Sequence, residues 1–163
     1  MILFPKLYLK NVLDISVALL QKENIKGILI DVDNTLLYLD KTLLKGVEEW
    51  VENMKKNEIK MCILSNTNQK DKVEKLGKQL QIPYVYFAKK PLKSGFKKGA
   101  KILELPYQQI AVVGDQITTD VWGANRMKMF SILTKPLEEK DIWITKIKRP
   151  FDAYIINKYL ERK

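Results

Sequence analysis

The sequence contains no histidine and a single cysteine, Cys62. Without histidine, no mechanism that needs an imidazole as nucleophile, base or metal ligand is possible. A single cysteine excludes an internal disulfide and is typical of a reducing compartment, so we expect a cytoplasmic location. No arginine follows Cys62 at the spacing of a cysteine-phosphatase loop. Any chemistry in this chain must therefore use carboxylates, hydroxyls and lysines.

Long apolar runs are also absent, and none approaches the roughly 18 residues that a membrane span needs. Near the N-terminus, Pro5, Lys6 and Lys10 interrupt any signal-peptide core, which predicts a chain without a leader. The stretch "SGFKKGAK" lacks the Gly-Lys-Ser/Thr ending of a nucleotide-binding phosphate loop. The length of 163 residues and the hydrophobic content of 46% predict one globular domain, residues 1–163.

Positive charge is in excess, with a formal net charge of +10. Much of it lies in "KKPLKSGFKKGAK", residues 89–101, which contains no acidic residue. This charge indicates an anionic partner, such as nucleic acid, a phospholipid surface or a phosphorylated substrate, although a lysine-rich solubilising surface explains the total equally well. Arginine is scarce and no aromatic–basic RNA-binding motif is present, so a nucleic-acid-binding module is the weaker alternative.

Apolar runs of strand length alternate with amphipathic helical patterns along the chain. Five runs predict strands: 25–31, 59–65, 84–88, 110–115 and 130–134. Four segments between them predict helices: 44–57, 68–80, 95–105 and 118–128. This order predicts an α/β fold with a doubly wound, Rossmann-like parallel sheet. We expect two accessory parts, a helix near 12–23 and a basic C-terminal segment broken by Pro150.

Polar residues stand at the ends of four predicted strands. They are Asp31, Asp33 and Thr35 after the first, Ser65 and Asn66 after the second, Lys89 and Lys90 after the third, and Asp115, followed by Asp120, after the fourth. Taken singly, each could cap a helix, turn a loop or be solvated. In a doubly wound sheet, however, the carboxyl ends of the strands form one ligand-binding edge. Their joint placement therefore predicts a functional site.

The residue types at this edge suit phosphoryl transfer. Asp31 can attack phosphorus and form an aspartyl-phosphate, and Asp33, on the same side of the chain, can protonate the leaving oxygen and later activate water. The Ser65 hydroxyl and a lysine after the third strand can neutralise the phosphoryl oxygens. Carboxylates of Asp31 and Asp115, with the main-chain carbonyl of Asp33, make an oxygen site suited to Mg²⁺. Asp120 is expected to support that site.

The same motifs resemble the haloacid dehalogenase superfamily of phosphohydrolases. "DVDNT" matches its DxDxT motif, and "LSN", "KKP" and "GDQITTD" match the second, third and fourth motifs in the correct order. The resemblance covers about residues 25–135, the expected catalytic core, and is greatest to the YqeG-like, type IIIA branch. Members of that branch are similar to mitochondrial phosphatidylglycerophosphate phosphatases, which implies a role in phospholipid biosynthesis.

The resemblance implies a role for each motif residue. It makes Asp31 the nucleophile, Asp33 the acid/base, Asp115 a Mg²⁺ ligand, and Ser65 and Lys90 phosphate contacts. Lys90 is preferred over Lys89 because the family lysine directly precedes a proline, here Pro91. The predicted metal ligands are Asp31, Asp33 and Asp115. The predicted substrate-binding residues are Thr35, Ser65, Asn66 and Lys90.

The spacing of the motifs leaves no room for a cap domain. A predicted loop, helix and strand account for residues 37–64, and a predicted helix and strand account for residues 67–89. An open site suits a phosphate on something large, or one covered by a neighbouring subunit. Together with the family resemblance, which implies a phosphatidylglycerophosphate phosphatase, this favours phosphatidylglycerophosphate at a membrane surface as the expected substrate. The alternatives are a soluble phosphorylated metabolite, nucleotide or protein as substrate, or a receiver-like phospho-acceptor domain.

The C-terminal segment offers a candidate for peripheral membrane contact. It places Trp143, Ile144, Ile147 and Phe151 beside Lys146, Lys148 and Arg149. Exposed apolar groups among cations are typical of an interfacial segment, whereas the same apolar groups could instead cover the sheet as core. Nothing in the sequence indicates an oligomeric state.

Overall fold

Six parallel strands form one sheet in the order β1-β6-β5-β2-β3-β4. In the computed structural model, the described residues are 1–139 and 143–163, and side chains are described for all of these except 143–149. The strands are β1 (Leu7–Leu9), β2 (Gly27–Ile30), β3 (Lys60–Leu64), β4 (Tyr84–Val85), β5 (Ile110–Gly114) and β6 (Phe130–Thr134). The predicted doubly wound parallel sheet is confirmed.

Helices cover both faces of the sheet. They are α1 (Val17–Lys22), α2 (Val47–Lys56), α3 (Lys70–Leu80), α4 (Lys93–Leu103), α5 (Trp122–Arg126) and α6 (Trp143–Leu160). Helices α2 and α3 pack on one face through residues such as Met54 and Leu76, and α4 and α5 pack on the other through Phe96 and Ala124. Each face of the sheet is therefore apolar, which explains the near-continuous apolar strands.

Strand β2 lies at the centre of the sheet, and all four of its residues are buried. Its residue Leu29 is in register with Cys62 of β3 on one side and Val112 of β5 on the other. The chain proceeds from β2 to β3 and β4 in one direction, and then returns to place β5 against the opposite side of β2. The loops after β2 and β5 therefore diverge at the switch point where doubly wound sheets bind ligands.

The N-terminal region differs from the prediction. Residues Leu7–Leu9 add a sixth strand, β1, at the edge of the sheet beside β6. The helix expected near 12–23 is instead a short 3₁₀ turn, Val12–Asp14, followed by α1. The break arises because Ser16 begins a new helix, its hydroxyl oxygen accepting a hydrogen bond from the N–H of Leu19 at 3.1 Å.

Two other predicted elements differ from the structure. The strand predicted over 84–88 ends at Val85, because Phe87 has a φ of 48° and donates its N–H to the carbonyl of Thr67. The helix predicted over 118–128 is a π-helical turn, Ile117–Val121, that leads into α5.

The prediction that Pro150 breaks the C-terminal segment was wrong, because α6 continues through it to Leu160. A proline inside a helix removes one hydrogen bond and costs about 3 kcal/mol. Packing after the proline compensates: Ile155 and Tyr159 are buried, and the Tyr159 ring meets Phe4 edge to face at 6.2 Å. The side chains of Trp143, Ile144, Lys146, Ile147, Lys148 and Arg149 lie outside the described side chains.

The described connections contain no cap domain. Between β2 and α2 the chain makes only two isolated bridges, Asp33 with Leu37 and Leu37 with Leu43. Between β3 and α3 only residues 65–69 intervene. Among the helices in the described residues, none has the length and apolarity to cross a bilayer. Within residues 1–139, no inserted domain therefore covers the carboxyl edge of the sheet.

Candidate active site

All eight predicted site residues lie at the carboxyl edge of the sheet. Asp31, Asp33 and Thr35 follow β2, Ser65 and Asn66 follow β3, Lys90 follows β4, and Asp115 and Asp120 follow β5. The N–H of Asp31 donates to the carbonyl of Val113 at 2.9 Å, which continues the pairing of β2 with β5 by one residue. Val32 turns into the core, where it is buried. The backbone that carries Asp31 is therefore fixed by the centre of the sheet.

Lys90 forms ion pairs with two carboxylates of the site. Its buried ammonium lies 2.8 Å from Asp31 Oδ1 and 2.7 Å from Asp120 Oδ1. Burial alone lowers the pKa of Lys90, but attraction to Asp120 and Asp31 outweighs it, and the pKa is raised above its usual value. The lysine is therefore held in its charged form at neutral pH, as a cation fixed beside the predicted nucleophile.

Asn66 holds the backbone of this lysine. Its Oδ1 accepts the N–H of Lys90 at 2.7 Å, and its Nδ2 donates to the carbonyl of Lys90 at 3.1 Å. The peptide bond from Lys90 to Pro91 is cis. In this structure the Asn66 amide therefore positions Lys90, a role that the sequence analysis did not assign to it.

Ser65 is buried beneath the same loop. Its N–H donates to the carbonyl of Val85, and its own carbonyl accepts the N–H of Ala88. Its Oγ accepts the N–H of Thr67 at 3.3 Å, so its hydroxyl hydrogen can be donated to an anion. The role of Ser65 as a phosphate contact stays a prediction.

Asp120 completes the contacts of Lys90. Its Oδ2 accepts the N–H of Gln116 at 3.2 Å. Burial raises the pKa of Asp120 to about 6, while the neighbouring Lys90 opposes that rise. A Cβ at Gly114 would overlap the Asp120 carboxylate, so the "GD" step of the fourth motif needs glycine for this close approach.

Three carboxylates come together at this edge: Asp31, Asp115 and Asp120 each offer an oxygen, and these oxygens lie within 4.8 Å of one another. Thr35, which is buried, donates its hydroxyl to Asp115 Oδ1 at 3.4 Å. An all-oxygen donor set of this kind suits a hard cation such as Mg²⁺. The cluster contains two of the three predicted ligands, and the predicted donation by the main-chain carbonyl of Asp33 stays a prediction.

The side chain of Asp33 has different neighbours. Its Oδ1 lies 2.8 Å from the ammonium of Lys72 and 3.5 Å from that of Lys41. Burial lowers the pKa of Lys72, but its hydrogen bond and its attraction to Asp33, with smaller effects of other neighbours, together outweigh burial, and the pKa of Lys72 is raised overall. The pKa of Lys41 is lowered, first by the adjacent Lys72 and then by burial. The sequence analysis missed both lysines, because nothing in the sequence separates them from solvated ones.

Asn34 was also missed. Its backbone has a φ of 62°, a left-handed conformation that asparagine tolerates better than most residues. Its side-chain amide donates to the carbonyl of Glu138 at 2.7 Å and accepts the N–H of Glu138 at 2.8 Å. The residue directly before the threonine of "DVDNT" thus ties the loop after β2 to the segment after β6.

Comparison with known proteins now identifies the family. Residues 37–128 match the family described as haloacid dehalogenase-like hydrolase. The chain belongs to this hydrolase family. It is 36% identical over 160 residues to "Probable phosphatase YqeG" of Bacillus subtilis (strain 168), which spans 98% of this chain and 92% of the relative. The protein is therefore an enzyme, a phosphatase of the haloacid dehalogenase type, as the motifs predicted.

Solved structures with the same fold are more distant in sequence. An uncharacterized protein from Corynebacterium glutamicum has a TM-score of 0.59 at 20% identity, over 78% of this chain and 96% of its own. The cobalt-bound deoxy-D-mannose-octulosonate 8-phosphate phosphatase of Haemophilus influenzae has a TM-score of 0.53 at 14% identity, over 80% and 90%. These similarities establish the fold. Phosphatases of this family generally use Mg²⁺, which agrees with the carboxylate cluster.

Proposed function

We propose that this phosphatase hydrolyses a phosphomonoester through a phosphoaspartate on Asp31, with Mg²⁺ as cofactor. The observation that carries this proposal is the buried Lys90 ammonium, 2.8 Å from the Asp31 carboxylate. A nucleophile and a cation this close can meet the same phosphoryl group. The cation neutralises charge on the equatorial oxygens, and this neutralisation supplies much of the catalysis of phosphoryl transfer.

The reaction has two steps. In the first, a bond forms between an Asp31 oxygen and phosphorus while the bond from phosphorus to the leaving oxygen breaks, and Asp33 gives that oxygen a proton. In the second, Asp33 takes a proton from water as the water oxygen attacks phosphorus, which releases inorganic phosphate and restores Asp31. Lys90 and the Ser65 hydroxyl offset the phosphoryl charge in both steps.

The donor set fits Mg²⁺, which Asp31, Asp115 and the main-chain carbonyl of Asp33 would hold. When bound, it withdraws charge from the phosphoryl oxygens. Asp120 is the weaker candidate ligand, because both of its carboxylate oxygens already accept hydrogen bonds, from Lys90 and Gln116. Its role is to hold the ammonium of Lys90 in place.

The proposed substrate is phosphatidylglycerophosphate at a membrane surface. Support comes from the carboxyl edge of the sheet, where no cap in the described residues would exclude a phosphate carried on an extended surface. Support also comes from charge: Lys72 and Lys41 lie beside Asp33, and the chain carries a net charge of +10. A substrate with anionic groups besides the scissile phosphate is favoured in such a field.

The test is a comparison of phosphate release in Mg²⁺-containing buffer. The substrates are phosphatidylglycerophosphate in mixed micelles, a sugar phosphate, a nucleotide and a phosphopeptide. We expect the lipid to have the highest kcat/KM, with Asp31→Asn as the inactive control. A soluble substrate that turns over faster than the lipid would overturn the lipid assignment, and activity in Asp31→Asn would overturn the covalent mechanism.

A further inference from the structure

Exposed apolar side chains surround the catalytic edge. Phe87 and Leu92 are 51% and 54% exposed and lie on either side of Lys90 in sequence. Tyr86, in the same loop, and Leu39, after β2, are also exposed. Both segments follow the carboxyl ends of their strands, so their side chains lie at the same edge of the sheet as Asp31. We call these four residues the catalytic rim.

The loop that carries most of the rim is firmly anchored. The N–H of Phe87 donates to the carbonyl of Thr67 at 2.7 Å, and the N–H of Leu92 donates to the carbonyl of Lys89 at 2.9 Å. Ala88 and Lys90, which alternate with the exposed residues, are buried. The backbone thus turns Ala88 and Lys90 inward and leaves Phe87 and Leu92 outward. The exposure of these apolar groups is therefore fixed by the fold and is not a consequence of a loose loop.

Cations accompany the rim. The Lys89 ammonium lies 4.7 Å from the centre of the Phe87 ring, and Lys93 is exposed at the start of α4. Lys41 is also exposed close to Leu39, although it lies 3.5 Å from Asp33 Oδ1 and Leu39 donates its own N–H to the Glu138 carboxylate, so the excess of cations is in the segment around Phe87 and Leu92. The chain has no acidic residue from 75 to 103, so no carboxylate of this segment offsets the positive charge. Apolar side chains that project among cations are suited to an anionic lipid surface. The apolar side chains insert into the interface, and the anionic headgroups attract the cations.

We propose that the catalytic rim docks this phosphatase on an anionic bilayer, with the carboxyl edge of the sheet facing the lipid. The inference rests on the proposed lipid substrate and goes beyond it, because it names the surface and the orientation. Docking through the rim brings Asp31 to the headgroups, where a phosphomonoester would lie. The attraction of Lys89 and Lys93 to an anionic surface is screened by salt.

The experiment uses Phe87→Asn/Leu92→Ser in the full chain. Asparagine suits position 87 because the φ there is 48°. The matched control is Ile102→Ser, since Ile102 is 43% exposed but lies near the C-terminal end of α4, beside Ile59 and Ile82 at the opposite edge of the sheet. A second variant, Lys89→Glu/Lys93→Glu, tests the charge without removing apolar side chains. Unfolding midpoints in urea verify that each variant is folded.

Sedimentation is measured with phosphatidylcholine vesicles that contain or lack phosphatidylglycerol. We expect the wild type and Ile102→Ser to bind the anionic vesicles. The two rim variants, Phe87→Asn/Leu92→Ser and Lys89→Glu/Lys93→Glu, should bind at least tenfold more weakly. Higher salt should weaken wild-type binding. Equal binding by rim variants and wild type, or equal losses in the rim variants and Ile102→Ser, would overturn the proposal. Self-association that depends on the rim, without vesicle binding, would assign the surface to a second copy of the chain and also overturn it.

The two proposals can fail separately. If the wild type hydrolyses phosphatidylglycerophosphate in micelles but the rim variants bind vesicles normally, the docking proposal is wrong and the lipid substrate stands. If the rim is needed for vesicle binding but the lipid is not hydrolysed, the proposed substrate is wrong and the docking surface stands. A rim-dependent fall in the ratio of lipid to aryl-phosphate turnover supports both.

Discussion

Replacing Lys90 by methionine should weaken both stability and catalysis. The Lys90 side chain is 3% exposed and that of Asp120 is 2% exposed, so their 2.7 Å ion pair is shielded from water. Removing one partner of a buried pair leaves an uncompensated charge and costs about 3–5 kcal/mol, whereas breaking a surface pair costs about 0–1 kcal/mol. Methionine is about as long as the methylene stem of lysine and is apolar like that stem, so the loss of the ammonium charge dominates the change.

The neighbouring lysine provides the matched control. The Lys89 side chain is exposed and its described contact is with the ring of Phe87, so Lys89→Met should change the free energy of unfolding by about 0.5 kcal/mol or less. The double variant Lys90→Met/Asp120→Asn should regain part of the lost stability, because the amide removes the buried charge. It should not regain activity, since Lys90 is the cation beside Asp31.

The free energies are measured by urea denaturation in EDTA, so that a divalent cation cannot replace the lysine charge. Phosphate release is measured in parallel, and kcat of Lys90→Met should fall by about 10²–10³, the usual loss for one fixed donor to developing charge. A loss of stability below about 1 kcal/mol, equal to that of a surface pair, would refute the interpretation of Lys90 as a partner in a buried ion pair.

Other changes give separate expectations. Asp31→Asn should abolish turnover in a chain that still folds, since Asp120 remains as a counter-ion of Lys90, and no phosphoenzyme should be trapped by acid quench, because an amide is a poor nucleophile of nearly the same shape. Asp33→Asn should slow phosphate release by about 10²–10⁴ in stopped assays; an unimpaired rate would remove its acid/base role. EDTA should abolish phosphate release, and added Mg²⁺ should restore it. Activity that persists after exhaustive chelation would contradict the metal assignment. Burial raises the pKa of Cys62 from 9.0 to about 12. The unfolded chain therefore loses the thiol proton first, and between pH 9 and 12 the wild type should lose up to about 1.4 kcal/mol per pH unit more stability than Cys62→Ala in urea titrations.

The sheet was largely predictable because its central strands are buried on both faces. Such strands are continuous apolar runs, as in β2 and β5, and their order with the helices fixes a doubly wound topology. Strand β1 was missed because it is a three-residue edge strand, half-buried throughout, whose pairing with β6 depends on contacts far along the chain. Its short, mixed sequence carries no periodic signal.

The site was predictable to the extent that it lies at strand ends. Asp31, Ser65 and Lys90 each follow a strand directly, and the parallel sheet brings strand ends together. The supporting contacts were not predictable. Lys72 meets Asp33 from the first turn of α3, and Asn34 meets Glu138 from across the sheet. Both pairs depend on the way helices and loops pack, which local sequence does not encode.

The structure also separates two carboxylates that the sequence presents as equivalent. Asp31 has a side chain that is 12% exposed and is held by the buried Lys90, so its position is fixed. Asp33 has a side chain that is 34% exposed and contacts the ammonium groups of Lys72 and Lys41. A nucleophile must be aligned with phosphorus, which favours the fixed carboxylate. An acid/base must reach the leaving oxygen and then the incoming water, which favours the carboxylate with access to solvent. The surroundings of Asp31 and Asp33 therefore support the division of roles proposed for them, although the two residues are identical in type and separated only by the buried Val32.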